Sequence, residues 1–385
     1  MKRVLIVEAQ MKQYRVAFYE RLYAALSDAN IQLRVAYSNP SLKEASKKDT
    51  CDLPDEYGVK VKAYWLVRER LILQSLLQET VKADLVIVDQ ANKFLLNHLL
   101  LPLGLVRIKR TAFIGHGFNA REDRSWLSEW YRHRTINWVS WWFAYTEKTT
   151  SYLVRNGVPR SKITTVQNAI DTKEIREQAR ELSGERKNHL RSQLGIPASA
   201  CVGIYCGTLD KPKKLPFLID AAIKIRDQNS NFHLLVVGGG PEQALIQARI
   251  EALPWVHFVG PRFGKEKAAL LAISDVMLMP GAVGLVILDA FAAGLPLLST
   301  RLSIHGPEMD YLDEGINGLL SEPDVSAFAG VVSMLLRDRD KLDRLRMGAQ
   351  IAGSKYTIEN MATNVCNGIQ NCLLGSSTTG IHTFA

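Results

Sequence analysis

Cysteine is scarce in this chain and is placed for no framework. The five cysteines among 385 residues, Cys51, Cys201, Cys206, Cys366 and Cys372, are odd in number and none belongs to a C-x-x-C pair. That excludes a disulfide scaffold and a zinc knuckle, and the thiols read as reduced and mostly buried in a cytosolic protein. Long apolar runs are lacking too. The nearest, Phe94 to Val106, carries Asn97 and His98 and falls short of the roughly 18 apolar residues of a membrane span. The start, MKRVLIVEAQ, is basic, but its apolar run of only about four residues before Glu8 reads as a first strand, not a signal peptide. Short-period repeats are absent. No nucleic-acid motif accompanies the basic residues, and no paired carboxylates or histidine cluster mark a metal site.

What is present is a globular composition, 47% hydrophobic and 23% charged, on a length that predicts two domains. Basic residues outnumber acidic ones in one half only. Residues 1–180 carry 29 Lys+Arg against 19 Asp+Glu, a net +10, while the remainder holds 19 against 20. A basic first half suits an anionic partner: nucleic acid, an acidic membrane surface or a phosphorylated substrate.

Short apolar runs at Arg3–Val7, Ile31–Tyr37, Leu85–Asp89, Thr111–Ile114, Phe143–Tyr145 and Ile163–Val166 predict strands. Val16–Ala25, Leu71–Lys82, Phe94–Leu105 and Glu147–Asn156 predict helices between them, and residues 38–60 read as a loop or excursion. Residues 172–197 are charged and helical and look like a bridge. A second alternation then runs through strands at Val202–Cys206, His233–Val237, Val256–Val259, Val276–Met279, Leu297–Ser299 and Gly318–Leu320. Strands alternating with helices in this way predict α/β domains with parallel sheets, whose ligands sit at the carboxyl ends of the strands. The expected divisions are a first domain over 1–180, a second over 198–354, and a C-terminal helix in 355–385 that packs back on the first domain before a frayed tail.

Five of the seven tryptophans, Trp126, Trp130, Trp138, Trp141 and Trp142, fall between Trp126 and Tyr145, with Arg132, His133 and Arg134 among them. Aromatic rings with basic neighbours suit a membrane interface, and Trp138, Trp141 and Trp142 are the expected carriers. The other reading is a helix of the first domain packed on its sheet.

The most informative stretch is Met279 to Thr300. A strand runs into Pro280-Gly281, a small-residue turn follows, and a helix carries Asp289 near its start. A helix that begins in a glycine turn offers free N–H groups to a phosphate, and a carboxylate about one turn in can accept from a ribose. An ordinary βαβ corner gives the same local pattern. Two more strands of this half also end in glycine, at Gly207 and Gly238–Gly240, and Lys213 follows the first. Glycines let backbone N–H groups approach a diphosphate and a lysine supplies a point charge. Together they predict a nucleotide-diphosphate site.

With these stretches on the page, the chain resembles the retaining glycosyltransferases of the family-4 type with the GT-B fold, over essentially its whole length. The matching motifs are Gly207-Thr208-Leu209 with Lys213; Val237-Gly238-Gly239-Gly240-Pro241; Phe258-Val259-Gly260; Ser274-Asp275-Val276 to Pro280; Gly284-Leu285-Val286 to Pro296; His305-Gly306-Pro307-Glu308; and Gly315-Ile316-Asn317-Gly318. The resemblance implies two Rossmann-like doubly wound parallel-sheet domains facing a cleft, acceptor on the first and nucleotide sugar on the second. It implies no cofactor and no metal. The donor side falls on Gly207, Thr208, Gly260, Gly281, Ala282, Val283, Gly284, Leu285, Val286, Asp289 and Glu308, with Lys213 on the diphosphate.

The departures matter as much. The glutamate that holds the transferred sugar in the family falls on Gly281, the one that holds the ribose falls on Asp289, and an arginine falls on Thr208. Backbone N–H groups of Ala282 to Leu285 are the expected substitute for the first. His116, in Gly115-His116-Gly117, matches a catalytic histidine that binds the transferred sugar or orients the reacting groups, and Arg15 is expected on the acceptor side, binding a phosphate or an acceptor hydroxyl. The expectation is a cytoplasmic enzyme, peripheral on the inner membrane face, that glycosylates a glycan or lipid-linked acceptor in surface polysaccharide assembly. A sugar-nucleotide epimerase of similar shape and a non-catalytic binding protein that holds a nucleotide sugar or glycan stay open, the latter because of Gly281.

Overall fold

A computed structural model describes residues 1–45, 49–117, 126–302 and 304–375. Two compact units divide the chain: Met1–Ile170 together with the C-terminal segment from Ile358, and Asp171–Thr357.

The first unit contains strands β1 (Lys2–Val7), β2 (Ile31–Tyr37), β3 (Gly58–Lys60), β4 (Ala63–Leu66), β5 (Leu71–Gln74), β6 (Leu85–Asp89), β7 (Arg110–Gly115), β8 (Trp141–Ala144) and β9 (Ile163–Thr165). Seven of them form a parallel sheet in the order β3-β2-β1-β6-β7-β8-β9. The chain leaves β1 in one direction through β2 and β3, then returns to pair β6 on the other flank of β1. This topological switch opens a crevice at the carboxyl ends of β1 and β6.

β4 and β5 pair antiparallel as a separate hairpin. The helix expected from Leu71 therefore begins only at Leu77. Leu71–Gln74 alternates, with Ile72 and Gln74 inward, and the leucines of LILQSLLQ satisfy a period of two as well as one of 3.6. Tertiary pairing selects the strand. The C-terminal helix Ile358–Leu374 lies against helix Gln13–Asp28 of the same unit. Arg21 Nε meets the Glu359 carboxylate at 2.9 Å and the Cys366 thiol reaches the Ala25 carbonyl. Its buried residues Ile358, Met361, Val365, Ile369 and Cys372 follow the helical period. The expected frayed tail lies outside the described residues.

The tryptophan expectation requires correction. Trp141 and Trp142 stand on β8, in the sheet, and Trp142 is 1% exposed. Both indole N–H groups are bonded inside the fold, Trp141 to Thr164 Oγ1 and Trp142 to the Ile136 carbonyl. Trp138 packs half-buried against the same core. These rings are in the wrong place for a membrane, because a parallel sheet covered on both faces draws large apolar side chains inward. Trp126 and Trp130 are the exposed pair, at 74% and 52%.

The second unit carries β10 (Cys201–Cys206), β11 (Phe232–Val237), β12 (Val256–Gly260), β13 (Val276–Met279), β14 (Leu297–Thr300) and β15 (Gly318–Ser321). All pair parallel in the order β12-β11-β10-β13-β14-β15. Every residue of β10, β11, β13 and β14 is buried, as an all-parallel sheet requires. The switch point here lies between β10 and β13. The charged stretch 172–197 forms helices Lys173–Glu181 and Gly184–Gln193, within this unit. Among the described residues no helix is long and apolar enough to cross a membrane.

Candidate active site

At the carboxyl edge of the second sheet, main chain packs directly on main chain. A Cβ on Gly238 would sit 1.8 Å from the Gly207 carbonyl oxygen, and one on Gly240 would sit 2.6 Å from that of Leu209. Gly238 also has φ +144°, a conformation open to glycine. The turns are stitched together: Gly207 N–H donates to Val237 O at 3.0 Å, Gly238 N–H to Gly260 O at 3.0 Å and Leu209 N–H to Gly239 O at 3.1 Å. Thr208 is exposed at the lip and its hydroxyl donates to Asp210.

Gly281 is more confined still. Its Cβ would meet the carbonyl groups of Pro212 and Lys213 at 2.3–2.4 Å, so no side chain fits there without moving backbone. The loop after it is latched from two sides. Ala282 N–H donates to Pro212 O at 2.8 Å, and Lys213 Nζ donates back to Ala282 O at 2.6 Å. On the other side Val283 N–H donates to His305 Nδ1 at 3.1 Å, Gly306 N–H donates to Val283 O at 2.7 Å, and His305 Nε2–H donates to Thr300 O at 2.7 Å. The N–H groups of Ala282 and Val283 are therefore occupied within the fold. Of the expected anion-binding amides, Gly284 and Leu285 remain as candidates. Gly284 faces open space. Glu308 is buried beside Gly306, where a Cβ would lie 2.9 Å from its Oε2.

Lys213 is largely enclosed, and burial pulls its pKa down against the opposing field of Asp210. An ammonium has three donors, so two remain beyond the Ala282 bond. Asp289 lies deep in helix Val286–Ala292. Its Oδ2 takes Lys267 Nζ at 3.0 Å, while its buried Oδ1 accepts no hydrogen bond. Burial pushes the Asp289 carboxyl up, and the Lys267 ammonium pulls against it. Asp210 Oδ1 and Glu242 Oε2, at the ends of β10 and β11, are likewise buried without a partner. Such oxygens are costly unless something donates to them, and ribose or sugar hydroxyls would.

The first unit ends its strands in side chains. Arg15 is turned inward, with its guanidinium donating to Tyr145 Oη at 3.0 Å and to Asn168 Oδ1 at 3.3 Å. The His116 ring meets Tyr145 edge-on at 4.7 Å between centroids. Surrounding protein mass and the Arg15 cation bring its pKa down to about 4, so the imidazole is neutral at physiological pH. Asp89, at the end of β6, is pushed up to about 6 by burial and then by the Glu8 carboxylate, against Lys93 and Arg15. Glu8 itself accepts from Tyr19 Oη at 2.6 Å.

Residues 17–174 match the family model described as Glycosyltransferase Family 4, and residues 200–338 match that described as Glycosyl transferases group 1. The chain belongs to this glycosyltransferase family. Among curated relatives it is 32% identical over 186 residues to a D-inositol 3-phosphate glycosyltransferase of Corynebacterium urealyticum, covering 45% of this chain and 43% of the relative. It is 31% identical over 205 residues to an N-acetyl-alpha-D-glucosaminyl L-malate synthase of Bacillus anthracis, covering 51% and 50%. The matches thus span about half the length of those relatives. The GT-B fold is shared with Anabaena Alr3699/HepE in complex with UDP, at TM-score 0.69, 17% identity and coverage of 96% of this chain and 100% of that one.

Against the family-4 glycosyltransferase pattern, the positions that sequence reasoning missed are those that hold others in place. His305 was visible only as part of a motif, and its bonds to Val283 and Thr300 make it the brace of the loop after Gly281. Lys267, Asp210 and Glu242 lie in no quoted motif. Asp89 and Glu8 are separated by 81 positions, and only the pairing of β1 with β6 brings them to one crevice.

Proposed function

We propose that the protein is a metal-independent, retaining glycosyltransferase that moves a sugar from a nucleotide diphosphate sugar to a hydroxyl of its acceptor. The observation that carries this reading is the β10–β13 edge, with glycine main chains in contact, a braced loop beside Lys213 and three buried carboxylate oxygens left open. Family membership and the UDP bound to a protein of the same fold support UDP-sugars as the donor class. Gly207, Thr208 and Gly260 line the nucleotide and diphosphate, Asp289 takes the ribose, and the loop from Gly281 through Ala282, Val283, Gly284 and Leu285 to Val286, with Glu308, faces the sugar.

In the reaction the C1–oxygen bond to the diphosphate breaks, and the acceptor oxygen bonds C1 from the same face. The acceptor proton passes to the departing diphosphate. Charge grows on that diphosphate, and stabilising it is the main electrostatic task. The remaining Lys213 donors and the open amides serve it. His116 acts as a neutral hydrogen-bonding group for the transferred sugar. On the acceptor side Arg15 holds Tyr145 and Asn168 and sets the field around His116.

The acceptor we favour is a glycan or lipid-linked molecule of surface polysaccharide assembly, met at the cytoplasmic membrane face. The exposed apolar Leu99, Leu105, Val106 and Ile108, with Arg107 and Arg110 beside them, suit a peripheral contact with anionic lipid better than the buried tryptophans do.

The test is a thermal-shift panel of nucleotide sugars and free nucleotides on the native chain and on Lys213→Ala. Occupancy at a hundredfold excess over Kd stabilises by about 2.7 kcal/mol. One nucleotide series is expected to shift the native protein and to lose most of that shift in the variant. A flat response across the panel overturns the reading.

A further inference from the structure

The first unit holds a cavity of about 710 Å³ at its topological switch point, between the carboxyl ends of β1 and β6 and the tip of the β4–β5 hairpin. Pockets of roughly 300–1,000 Å³ are the usual size for small-molecule sites. We propose that it binds a hydroxylated anion, a sugar or polyol bearing phosphate, as the acceptor, with Arg68, Arg70 and Lys93 holding the anionic group and Glu8, Gln10 and Asp89 holding the hydroxyls. This names the acceptor class of the glycosyltransferase reading and rests on it.

The cations of this cavity fall into two sets. Lys12 is neutralised by Glu44 and Asp49, each at 2.8 Å. Arg68 and Arg70 are exposed at the rim, and among the described residues none forms an ion pair or a side-chain hydrogen bond with either. Lys93 lies against the Phe94 ring, 5.2 Å from its centroid, and its charge acts on the Asp89 carboxyl behind it. Two arginines at one mouth with a lysine beside them match a phosphate, which arginine binds in bidentate fashion and lysine as a point charge.

The crevice floor has the opposite character. Glu8 and Asp89 present carboxylate oxygens, and Gln10 donates its amide to Glu44 while its buried Oε1 accepts nothing. These are acceptors for ligand hydroxyls. Trp65 adds an aromatic wall. A plain phosphate would leave the floor unused, and a neutral glycan would leave the rim uncompensated. A molecule carrying both groups uses both.

The hairpin tip is built at a cost that points the same way. Val67, Arg68 and Glu69 have φ of 50°, 53° and 64°, three successive non-glycine residues in the left-handed region. Such residues persist where surrounding contacts enforce them and cluster at ligand clamps. Arg70 N–H closes the turn on Val67 O at 3.2 Å, and Glu69 accepts from Leu42 N–H at 2.9 Å. The turn thereby aims Arg68 and Arg70 at the cavity mouth.

The full chain, with UDP in excess to occupy the donor site, is titrated by calorimetry with inorganic pyrophosphate, glucose 1-phosphate and uncharged glucose, and by sedimentation with phosphatidylinositol vesicles. Glucose 1-phosphate is expected to bind at least tenfold more tightly than glucose or pyrophosphate. R68A/R70A should lose at least tenfold of that affinity, and R68K/R70K should retain most of it. Vesicle binding that the alanine pair abolishes, with weak soluble binding, assigns the phosphate to a lipid headgroup instead. No binding of any charged probe, or equal affinity in native and alanine variants, overturns the proposal. UDP affinity is measured separately for each protein. Its absence removes the glycosyltransferase reading, while the anion titration without UDP still decides the cavity.

Discussion

At the β10–β13 edge of the second unit, main chain packs on main chain: glycines touch glycines, and a latched loop carries the Gly284 and Leu285 amides. At the β1–β6 edge of the first unit side chains fill the crevice: Glu8, Asp89 and His116, with Arg15, Tyr145 and Asn168 behind them. The two units share a sheet plan, yet they differ in what a substitution can do. The packed glycines Gly238, Gly240 and Gly281 leave no room for an added atom and carry no titrating group themselves. A charged edge tolerates shape changes but is tuned by every neighbouring ionisation.

The largest effect tests the glycine edge. Gly238→Ala puts a methyl group 1.8 Å from the Gly207 carbonyl at φ +144°, and overpacking of this kind costs about 3 kcal/mol or more. Urea unfolding should show that loss together with weakened nucleotide binding. Gly284→Ala, with nothing within 4 Å, should stay within about 0.5 kcal/mol. Equal behaviour of the two variants would break the contrast between packed and open glycines.

Next comes the ion pair under that edge. Asp289→Ala strands the Lys267 ammonium, whose side chain is 23% exposed. Removing one partner of a buried pair costs about 3–5 kcal/mol, and the partial exposure of Lys267 argues for the lower end. The double variant D289A/K267M should recover much of it. Failure to recover would mean that Asp289 matters to the fold for some reason other than its partner.

The charged edge is expected to respond with the opposite sign. Folded Asp89 keeps its proton up to about pH 6, against roughly 3.9 for a free carboxyl. Its contribution to stability is therefore present below about pH 4 and is lost as pH rises through 6. Asp89→Asn should make the protein more stable at pH 8, by on the order of 1–3 kcal/mol, and the gain should disappear at pH 4. Denaturant curves at the two pH values decide it.

The smallest effect belongs to His116. Its folded pKa of about 4 lies below the ordinary value near 6.5, so the unfolded chain binds more protons between those values. Stability is full above pH 6.5 and declines as pH falls toward 4. His116→Gln should flatten that decline, seen as a smaller difference between unfolding midpoints at pH 5 and pH 7.5. An unchanged slope would place the titration elsewhere.

The contrast between the edges also governs what was legible beforehand. Glycine at three strand ends of the second half is a local signal, and the strand-helix alternation around it is periodic, so the parallel sheets and the glycine edge could be read from the chain. What the glycines touch could not: the Gly281 contact with Pro212 and Lys213 joins positions nearly seventy residues apart. On the first unit the sequence offered His116 and Arg15 as single residues. Their partners come from β1, β6, β8 and the loop after β9, which only the sheet order brings together. The tryptophans misled because aromatic content and basic neighbours do not distinguish a surface belt from strand β8. The hairpin Ala63–Gln74 was hidden by leucines that fit either period.

The fit of Gly281 against Pro212 and Lys213 has a meaning for descent as well as for stability. With the 211–213 turn closed over this position, glutamate cannot enter in one step, because its Cβ would collide with the Pro212 and Lys213 main chain. The turn would have to withdraw first, and withdrawing it alone gives up the Ala282 and Lys213 contacts. The two changes are coupled, each unfavourable without the other. Relatives that share the glycine should therefore share the tight turn.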